Sequence, residues 1–497
     1  MPTNNSKQAF WVGIGGFFSY IVGIASSMIL SRYFTKGDYG TYKQVMFVYN
    51  TLLSVFTLGL PKAYAYFLPK YELKYSNDII HKITSIFFIL GAIFSISLYL
   101  SSGIISSILK NQDLRLAIQL FAPTPLLLLP TLGIDGIFAS FRKTQLSAVY
   151  TIVTRVLTVF LTVLPVLVFK GNYIHAIIGF DVASAIACIF ALVLRNLPIR
   201  SIDHSKSDVT IKKIMDFSLP LMYASIWGMI IGSANQFFIS RYFGNETFAV
   251  FSNGFMEMPF AGMISTAIGA VLLPRFSEKD KGEGMQDSVY NLWLTSLNKS
   301  AKIIFPILIY SVFFSKILMI CLYGDQYEES SIYFQIKNIS SLLYVIPFAP
   351  IMLAIGKTRQ YANIHMVVAI IIVSSEYLGV KLFASPIAIA IISEICQAMK
   401  VILLMLIISK YAKKKIKDLV PSNNMLKVLL LCRLSSIPTC ILFCYFQPNK
   451  FVALFLSGLI FCICYYLLSW LFGNSYRDIF LGLMPNLSKS RIISLIP

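Results

Sequence analysis

The chain has 497 residues, of which 57% are hydrophobic and only 13% are charged, and its mean hydropathy is +0.73. These values exclude an ordinary soluble domain and indicate an integral membrane protein. The net charge is +20, but binding of nucleic acid would require that this charge form a basic face on a soluble domain. In a membrane protein, the positive charge is better explained by orientation in the membrane. No nucleic-acid partner is therefore expected.

Apolar runs recur along the whole chain, and most of them contain about 20 residues or more, enough to cross a hydrocarbon core of about 30 Å. Helices are expected because every backbone polar group in lipid must find its partner within the protein. Charged residues and Pro/Gly breaks divide the chain into about 14 predicted spans. The spans begin near residues 9, 41, 80, 115, 146, 172, 214, 247, 292, 332, 362, 386, 425 and 450.

A repeated tetrapeptide suggests how these spans are organised. The sequence Ser-Arg-Tyr-Phe ends the first apolar run at residues 31–34 and recurs at residues 240–243. Chance alone would give roughly a couple of such four-residue matches in a chain of this length, so the match by itself is weak evidence. Its position near the start of each of two similar halves is what supports a repeat. The predicted fold class is therefore an all-α integral membrane protein with two six-helix lobes in parallel repeat and an appended C-terminal helix pair.

The predicted boundaries follow from that repeat. The N-terminal lobe would cover residues 1–200 and the C-terminal lobe residues 201–415, while residues 416–497 would hold spans 13 and 14 and a cytoplasmic tail. If the amino terminus is cytoplasmic, the loops on that side hold most of the Lys and Arg residues, as the positive-inside rule requires. Both termini are therefore predicted to be cytoplasmic.

Ionisable residues at membrane depth are the strongest functional signal, because each costs a few kcal/mol and needs a partner or a hydrated cavity. Arg155 and Asp181 fall near the middle of adjacent predicted spans, which predicts an ion pair or a shared polar site. Glu257 has no obvious cationic partner in sequence and is expected to face a cavity. Glu376 and Glu394 lie at similar depth, nearer the outer face.

Other polar residues complete the candidate set. Lys299 and Lys302 lie three residues apart on one face of span 9, either as cations at the inner mouth of a cavity or as side chains that snorkel to the interface. The uncharged candidates add hydrogen-bonding groups to spans 2, 7 and 8, and they are Asn50, Asn235, Gln236 and Asn253.

No catalytic signature is visible, since the sequence has no Gly-rich phosphate loop and no Ser/His/Asp grouping on a loop. The eight cysteines lie in or beside apolar runs without zinc-site spacing, which predicts packing roles, no metal and no cofactor. The chain is therefore not expected to be an enzyme. A membrane-embedded polysaccharide polymerase or ligase is the alternative from a different class, but it would need a larger outer loop than any seen here.

The first 70 residues resemble a known family. A Gly-rich first helix ends in Ser-Arg-Tyr-Phe and is followed by Gly-Asp-Tyr-Gly-Thr-Tyr at residues 37–42 and Leu-Gly-Leu-Pro at residues 58–61. This pattern resembles polysaccharide flippases of the Wzx type, which belong to the multidrug, oligosaccharidyl-lipid and polysaccharide exporter superfamily. The span count and the duplication support the resemblance across the rest of the chain.

What the resemblance implies is a multi-pass protein of the bacterial inner membrane that carries a polyprenyl-pyrophosphate-linked oligosaccharide to the periplasmic leaflet. The cargo would be a repeat unit of O-antigen, as in lipopolysaccharide, or of capsule. Arg155 would meet the anionic headgroup beside Glu257 and the uncharged candidates. Carboxylates at Asp181, Glu257, Glu376 or Glu394 would couple the cycle to H⁺ or Na⁺.

Partners implied by the resemblance are membrane lipid and the polysaccharide polymerase and chain-length proteins.

Two relatives compete with this interpretation. Lipid II flippases share the expected span count, but their first helix carries cationic residues. The first span of this chain has no cationic residue before Arg32. Multidrug and toxin extruders usually have 12 spans and no appended pair.

Overall fold

The computed structural model describes residues 5–200, 205–258, 262, 287–345, 348, 351–352, 355–445, 449–473 and 476. The described chain is helical apart from turns and short connections, and no strand occurs in it. Within these ranges, 12 helices are long and apolar enough to cross a membrane. The all-α membrane fold class is therefore confirmed. The two other predicted spans, which begin near residues 247 and 332, both run into residues outside the described ranges.

Contacts divide the chain into two compact units, Met1–Ser252 and Asn253–Pro497. Most of the long helix Ile211–Gly254 falls within the first unit, and the predicted lobe boundary at residue 200 remains a prediction. The assignment of that helix to a second repeat remains a prediction from the sequence.

The first unit contains ten helices in the described residues. They are α1 (Asn5–Tyr33), α2 (Lys36–Phe56), α3 (Pro61–Phe67), α4 (Ser76–Leu109), α5 (Asp113–Phe121), α6 (Thr124–Leu128), α7 (Ile134–Ser140), α8 (Thr144–Phe169), α9 (Tyr173–Leu194) and α10 (Ile211–Gly254).

Both copies of Ser-Arg-Tyr-Phe are followed by a break in the helix. After the first copy, the Thr35 hydroxyl accepts a hydrogen bond from the Asp38 backbone N–H at 3.1 Å and so caps α2. After the second copy, Gly244 has φ of 84°, a conformation that favours glycine, and it kinks α10.

Small residues let these helices approach closely. A Cβ at Gly179 of α9 would lie 2.0 Å from the carbonyl oxygen of Leu161 on α8, so only glycine fits at this crossing. A Cβ at Gly15 of α1 would lie 3.3 Å from the Cα of Ala148, again on α8. The small residues that the sequence shows in the first span thus allow α1 to pack on α8.

A set of polar side chains joins three parts of the first unit, and all of them are buried except the half-buried Asn245. We call this set the polar seam: Thr41, Gln44, Asn111, Ser240 and Asn245. Asn111 Nδ2 donates to Gln44 Oε1 at 2.6 Å and to Thr41 Oγ1 at 3.0 Å. Gln44 Nε2 donates to Ser240 Oγ at 2.7 Å, and Asn245 Nδ2 lies 3.4 Å from Thr41 Oγ1. The seam therefore ties α2 and the α4–α5 turn to the region around the second tetrapeptide.

The second unit contains eight further described helices. They are α11 (Asp287–Phe313), α12 (Ser315–Tyr323), α13 (Ser330–Ser341), α14 (Thr358–Phe383), α15 (Pro386–Ala412), α16 (Ile416–Leu419), α17 (Ser422–Tyr445) and α18 (Lys450–Leu471). The predicted appended pair corresponds to α17 and α18, which pack on each other and on α11 and α12. The Tyr310 hydroxyl of α11, for example, contacts Ser457 Oγ of α18 at 2.9 Å.

Turns that the sequence places on one side of the membrane come together within each unit. In the second unit, Lys450 pairs with Asp325, and both residues are predicted to lie at the outer face. At the opposite end, Trp293 Nε1 donates to the carbonyl oxygen of Leu419 at 2.7 Å, and both residues are predicted to lie at the inner face.

Candidate functional site

A buried lysine on α13 is the centre of the candidate site. The Lys337 side chain is 10% exposed, and its Nζ lies 3.0 Å from Glu394 Oε1 and 3.2 Å from Glu257 Oε1. All three residues belong to the second unit. We call them, together with Ser340, the charged cluster. One ammonium group is therefore shared by two carboxylates that the sequence had singled out separately.

Glu394 is the inner member of the cluster. It lies on α15 with its side chain 6% exposed, and its second oxygen accepts a hydrogen bond from the Ser340 hydroxyl, one turn after Lys337 on α13. Because both oxygens have donors, the carboxylate can remain charged away from water.

Glu257 is the outer member, with its side chain 57% exposed. It lies in the non-helical segment that follows α10, and Asn338 of α13 holds this segment by two hydrogen bonds. Asn338 Nδ2 donates to the Met256 carbonyl at 3.1 Å, and its Oδ1 accepts from the Met258 N–H at 3.2 Å. Backbone on both sides of Glu257 is therefore fixed, and its side chain is directed to Lys337.

Two further ionisable residues lie close to the cluster. Lys400 of α15 is within electrostatic range of Lys337, Glu394 and Glu257, and its Nζ donates to Gln397 Oε1 at 2.6 Å. Glu376 of α14 is fully buried and lies near Glu394. The site is thus dense in charge although the surrounding helices are apolar.

An apolar groove of about 860 Å³ adjoins the charged cluster. Ser340 and Glu394 belong to both features. Several lining side chains are exposed in the protein, among them Ile395 (62%) and Leu426 (57%), as expected for surfaces that face hydrocarbon. The groove is lined by residues of α11, α13, α15, α17 and the turns beside them: Phe305, Ile336, Ile339, Ser340, Leu342, Leu343, Ile391, Glu394, Ile395, Ala398, Val420, Ser422, Asn423, Met425, Leu426 and Leu429.

The predicted ion pair between Arg155 and Asp181 does not form among the described residues, and a shared polar site of the two remains a prediction. Asp181 of α9 instead accepts a hydrogen bond from the hydroxyl of Thr124, which opens α6. Arg155 is exposed on α8 and forms no ion pair with any residue that the structure describes. Equal depth on adjacent helices does not make two side chains face each other, because the rotation of each helix is set by its packing.

The uncharged candidates of the first unit lie in different environments. Asn50 is exposed on α2. Asn235 is buried on α10, and its side-chain oxygen accepts from the backbone N–H of Gln236 at 2.6 Å. Asn253, at the start of the second unit, is buried at the end of α10.

The two lysines of α11 also differ from each other. Lys299 is exposed, whereas Lys302 is half-buried with its Nζ 5.5 Å from the centre of the Tyr476 ring. Both lysines lie near the middle of α11, and the face of the Tyr476 ring is a favourable position for the Lys302 cation. A role at the inner mouth of a cavity remains a prediction for both residues.

Sequence reasoning missed Lys337, Asn338 and Ser340. Lys337 lies inside the predicted span that begins near residue 332, so the rule that selected Glu257 and Arg155 would also have selected it. It also missed Lys43 of α2, whose Nζ lies 3.3 Å from Ser27 Oγ and 5.2 Å from the centre of the Tyr39 ring. Asn338 lies in the same predicted span, so the reasoning that selected Asn50 and Asn253 would also have selected it.

Solved structures with a similar fold are membrane transporters. The lipid II flippase MurJ in an inward closed conformation has a TM-score of 0.74 at 15% identity, over 94% of this chain and 99% of MurJ. An inward-facing multidrug resistance MATE family transporter of the MOP superfamily has a TM-score of 0.66 at 11% identity, over 80% of this chain and 96% of that one. The Vibrio cholerae MATE transporter VcmN, in its bent form, gives 0.57 at 13% identity, over 82% and 97% of the two chains.

The sequence itself matches a family profile described as polysaccharide biosynthesis protein over residues 29–332, whereas a comparison with curated proteins gives no match. That profile covers both tetrapeptide copies, the segment that carries Glu257, and the start of α13 up to residue 332. The chain therefore belongs to the polysaccharide biosynthesis protein family, and it has the fold of the MurJ and MATE transporters.

Proposed function

We propose that this protein is a flippase for polyprenyl-pyrophosphate-linked oligosaccharide repeat units, which it moves from the cytoplasmic to the periplasmic leaflet by alternating access. The observation that carries the proposal is that the charged cluster and the apolar groove share Ser340 and Glu394. A site with adjoining charged and apolar parts suits a substrate that has an anionic headgroup and a long hydrocarbon tail.

The headgroup is the part that cannot cross unaided, because sugars and phosphates are costly to transfer into hydrocarbon. Lys337 and Lys400 provide cations within the second unit, and ammonium groups bind phosphate as point charges. In the first unit, Arg155 is exposed without an ion-pair partner among the described residues, so it is available to an anionic group. Within the first unit, the proposed headgroup contacts are Arg155, Asn50, Asn235 and Gln236. Within the second unit, they are Lys337, Lys400, Glu257 and Asn253.

The tail is expected to stay in contact with lipid. The groove beside the cluster is lined mainly by Leu, Ile and Met side chains, and α17 supplies Met425, Leu426 and Leu429. This gives the appended helix pair a role: α17 forms one wall of the surface along which the hydrocarbon chain lies.

Ion coupling is assigned to the carboxylates, with H⁺ or Na⁺ as the coupling ion. Glu376 is the best placed, since it is fully buried, whereas Glu394 and Glu257 already pair with Lys337. Asp181 is the candidate in the first unit. The protein would act in the inner membrane with cytoplasmic termini, before the polymerase and chain-length proteins of an O-antigen or capsule pathway.

A deletion strain tests the function directly. We expect loss of the surface polysaccharide, with single lipid-linked repeat units trapped in the cytoplasmic leaflet, and recovery of both when the wild-type gene is restored. Repeat units that reach the periplasm but stay unpolymerised would indicate a polymerase, and a change confined to lipid II would indicate a lipid II flippase. An unchanged surface polysaccharide would refute the proposal in favour of a drug or solute exporter.

A further inference from the structure

We infer that Glu257 is an internal competitor for the anionic group of the substrate at Lys337. The substrate's pyrophosphate displaces the Glu257 carboxylate from the Lys337 ammonium, while Glu394 remains in place. This inference rests on the proposed function and adds to it a specific exchange of partners at one lysine.

The two carboxylates on Lys337 are held very differently. Glu394 is 6% exposed and also accepts a hydrogen bond from Ser340, so its removal would leave a charge stranded in an apolar environment. Glu257 is 57% exposed, so its carboxylate has room to move away from Lys337. Of the two, Glu257 is therefore the one that an incoming anion can replace.

Charge explains why an anion must replace a carboxylate at this lysine. Lys337, Glu394 and Glu257 together carry a formal charge of −1, which repels a further anion. When Glu257 leaves, the remaining pair is neutral and Lys400 still contributes a positive potential. The pyrophosphate then gains the ammonium without facing a second carboxylate at contact distance.

Asn338 is the positioning residue for this exchange. Its hydrogen bonds to Met256 and Met258 fix the backbone on both sides of Glu257. Close packing assists it, because a Cβ at Gly254 would lie 2.1 Å from the Ser330 carbonyl oxygen. Displacement therefore requires a change in the Glu257 side chain and leaves the segment in place, so the carboxylate is ready to rebind Lys337 when the substrate departs.

Binding of inorganic pyrophosphate to the purified full-length protein tests the exchange. We expect Glu257→Gln to bind pyrophosphate about tenfold more tightly than wild type, since the competing charge is gone while its shape is kept. Glu329→Gln is the matched control, because it removes an exposed carboxylate just before α13 and should leave the affinity unchanged. The double variant Glu257→Gln/Lys337→Gln should lose the gain.

An unchanged affinity in Glu257→Gln, or a gain that survives in the double variant, would overturn the exchange. Farnesyl diphosphate distinguishes a lipid-linked ligand from a free diphosphate: tighter binding than inorganic pyrophosphate supports the former, and equal binding refutes it. The deletion strain separates the two proposals, since trapped repeat units with an unchanged Glu257→Gln affinity would remove only the exchange. Without trapped repeat units, the proposed function itself would fall.

Discussion

The Lys337 side chain connects two carboxylates that are far apart in sequence, Glu257 and Glu394. In sequence, Glu257 and Glu394 are separate carboxylates on different predicted spans, and the structure joins them through one ammonium group. Depth along a helix can be read from residue numbers, but the direction of a side chain cannot. For this reason the sequence identified both carboxylates and missed the lysine between them.

The buried pair of Lys337 and Glu394 predicts a non-additive effect on stability. Lys337→Met should destabilise the protein by about 3–5 kcal/mol, because it leaves the Glu394 carboxylate buried without its cation. The double variant Lys337→Met/Glu394→Gln should recover most of that loss, since neither charge remains. Thermal unfolding of the detergent-purified variants measures both effects, and a double variant as unstable as the sum of the single ones would argue against a coupled pair.

Arg155 gives a prediction about transport. Arg155→Ala should reduce export of repeat units about tenfold or more, since a hydrogen bond to a charged group is worth about 1.5–3 kcal/mol. Arg155→Lys should keep part of the activity because the positive charge remains. Surface polysaccharide in the complemented deletion strain provides the readout, with membrane insertion checked by immunoblot. Normal export by the alanine variant would remove Arg155 from the headgroup site.

The helices of the first unit pack closely at positions where small residues lie. The break after each Ser-Arg-Tyr-Phe copy lies between two predicted spans, which begin near residues 9 and 41 and near residues 214 and 247. The polar seam that surrounds these breaks was not, because its five residues come from three distant segments and each alone looks like an ordinary polar side chain.

Gly40 tests this packing, since a Cβ there would lie 2.1 Å from the Asn245 carbonyl oxygen. Gly40→Ala should destabilise the protein by about 1–3 kcal/mol, because backbone must shift to make room. Gly16→Ala is the matched control, as a Cβ at Gly16 meets nothing within 4 Å and alanine favours the helix. Apparent melting temperatures decide the matter, and equal values for the two variants would mean that the α2 contact can relax freely.

For the whole molecule, the positive-inside rule predicts which face is cytoplasmic. A fusion of alkaline phosphatase after Ala384, between α14 and α15, should be active because that turn is predicted to be periplasmic. A fluorescent protein fused after Lys413, at the end of α15, should fluoresce because that turn is predicted to be cytoplasmic. The opposite pattern of reporter activity would invert the topology and with it the proposed direction of transport.

The class of this protein follows from its order of amino acids alone. Apolar runs of membrane-spanning length leave helices as the available structure, and the pattern of residues 10–70 indicated the polysaccharide family that the profile over residues 29–332 confirmed. These properties are local, since they depend on composition and order along one segment at a time.

The candidate site, in contrast, depends on contacts between distant segments of the folded chain. Helix rotation and close packing direct Asp181 to Thr124, so Asp181 forms no ion pair with Arg155. They also bring Lys337 into contact with two carboxylates from distant parts of the chain. The physical reason is that side-chain direction depends on packing between segments, which no single segment encodes.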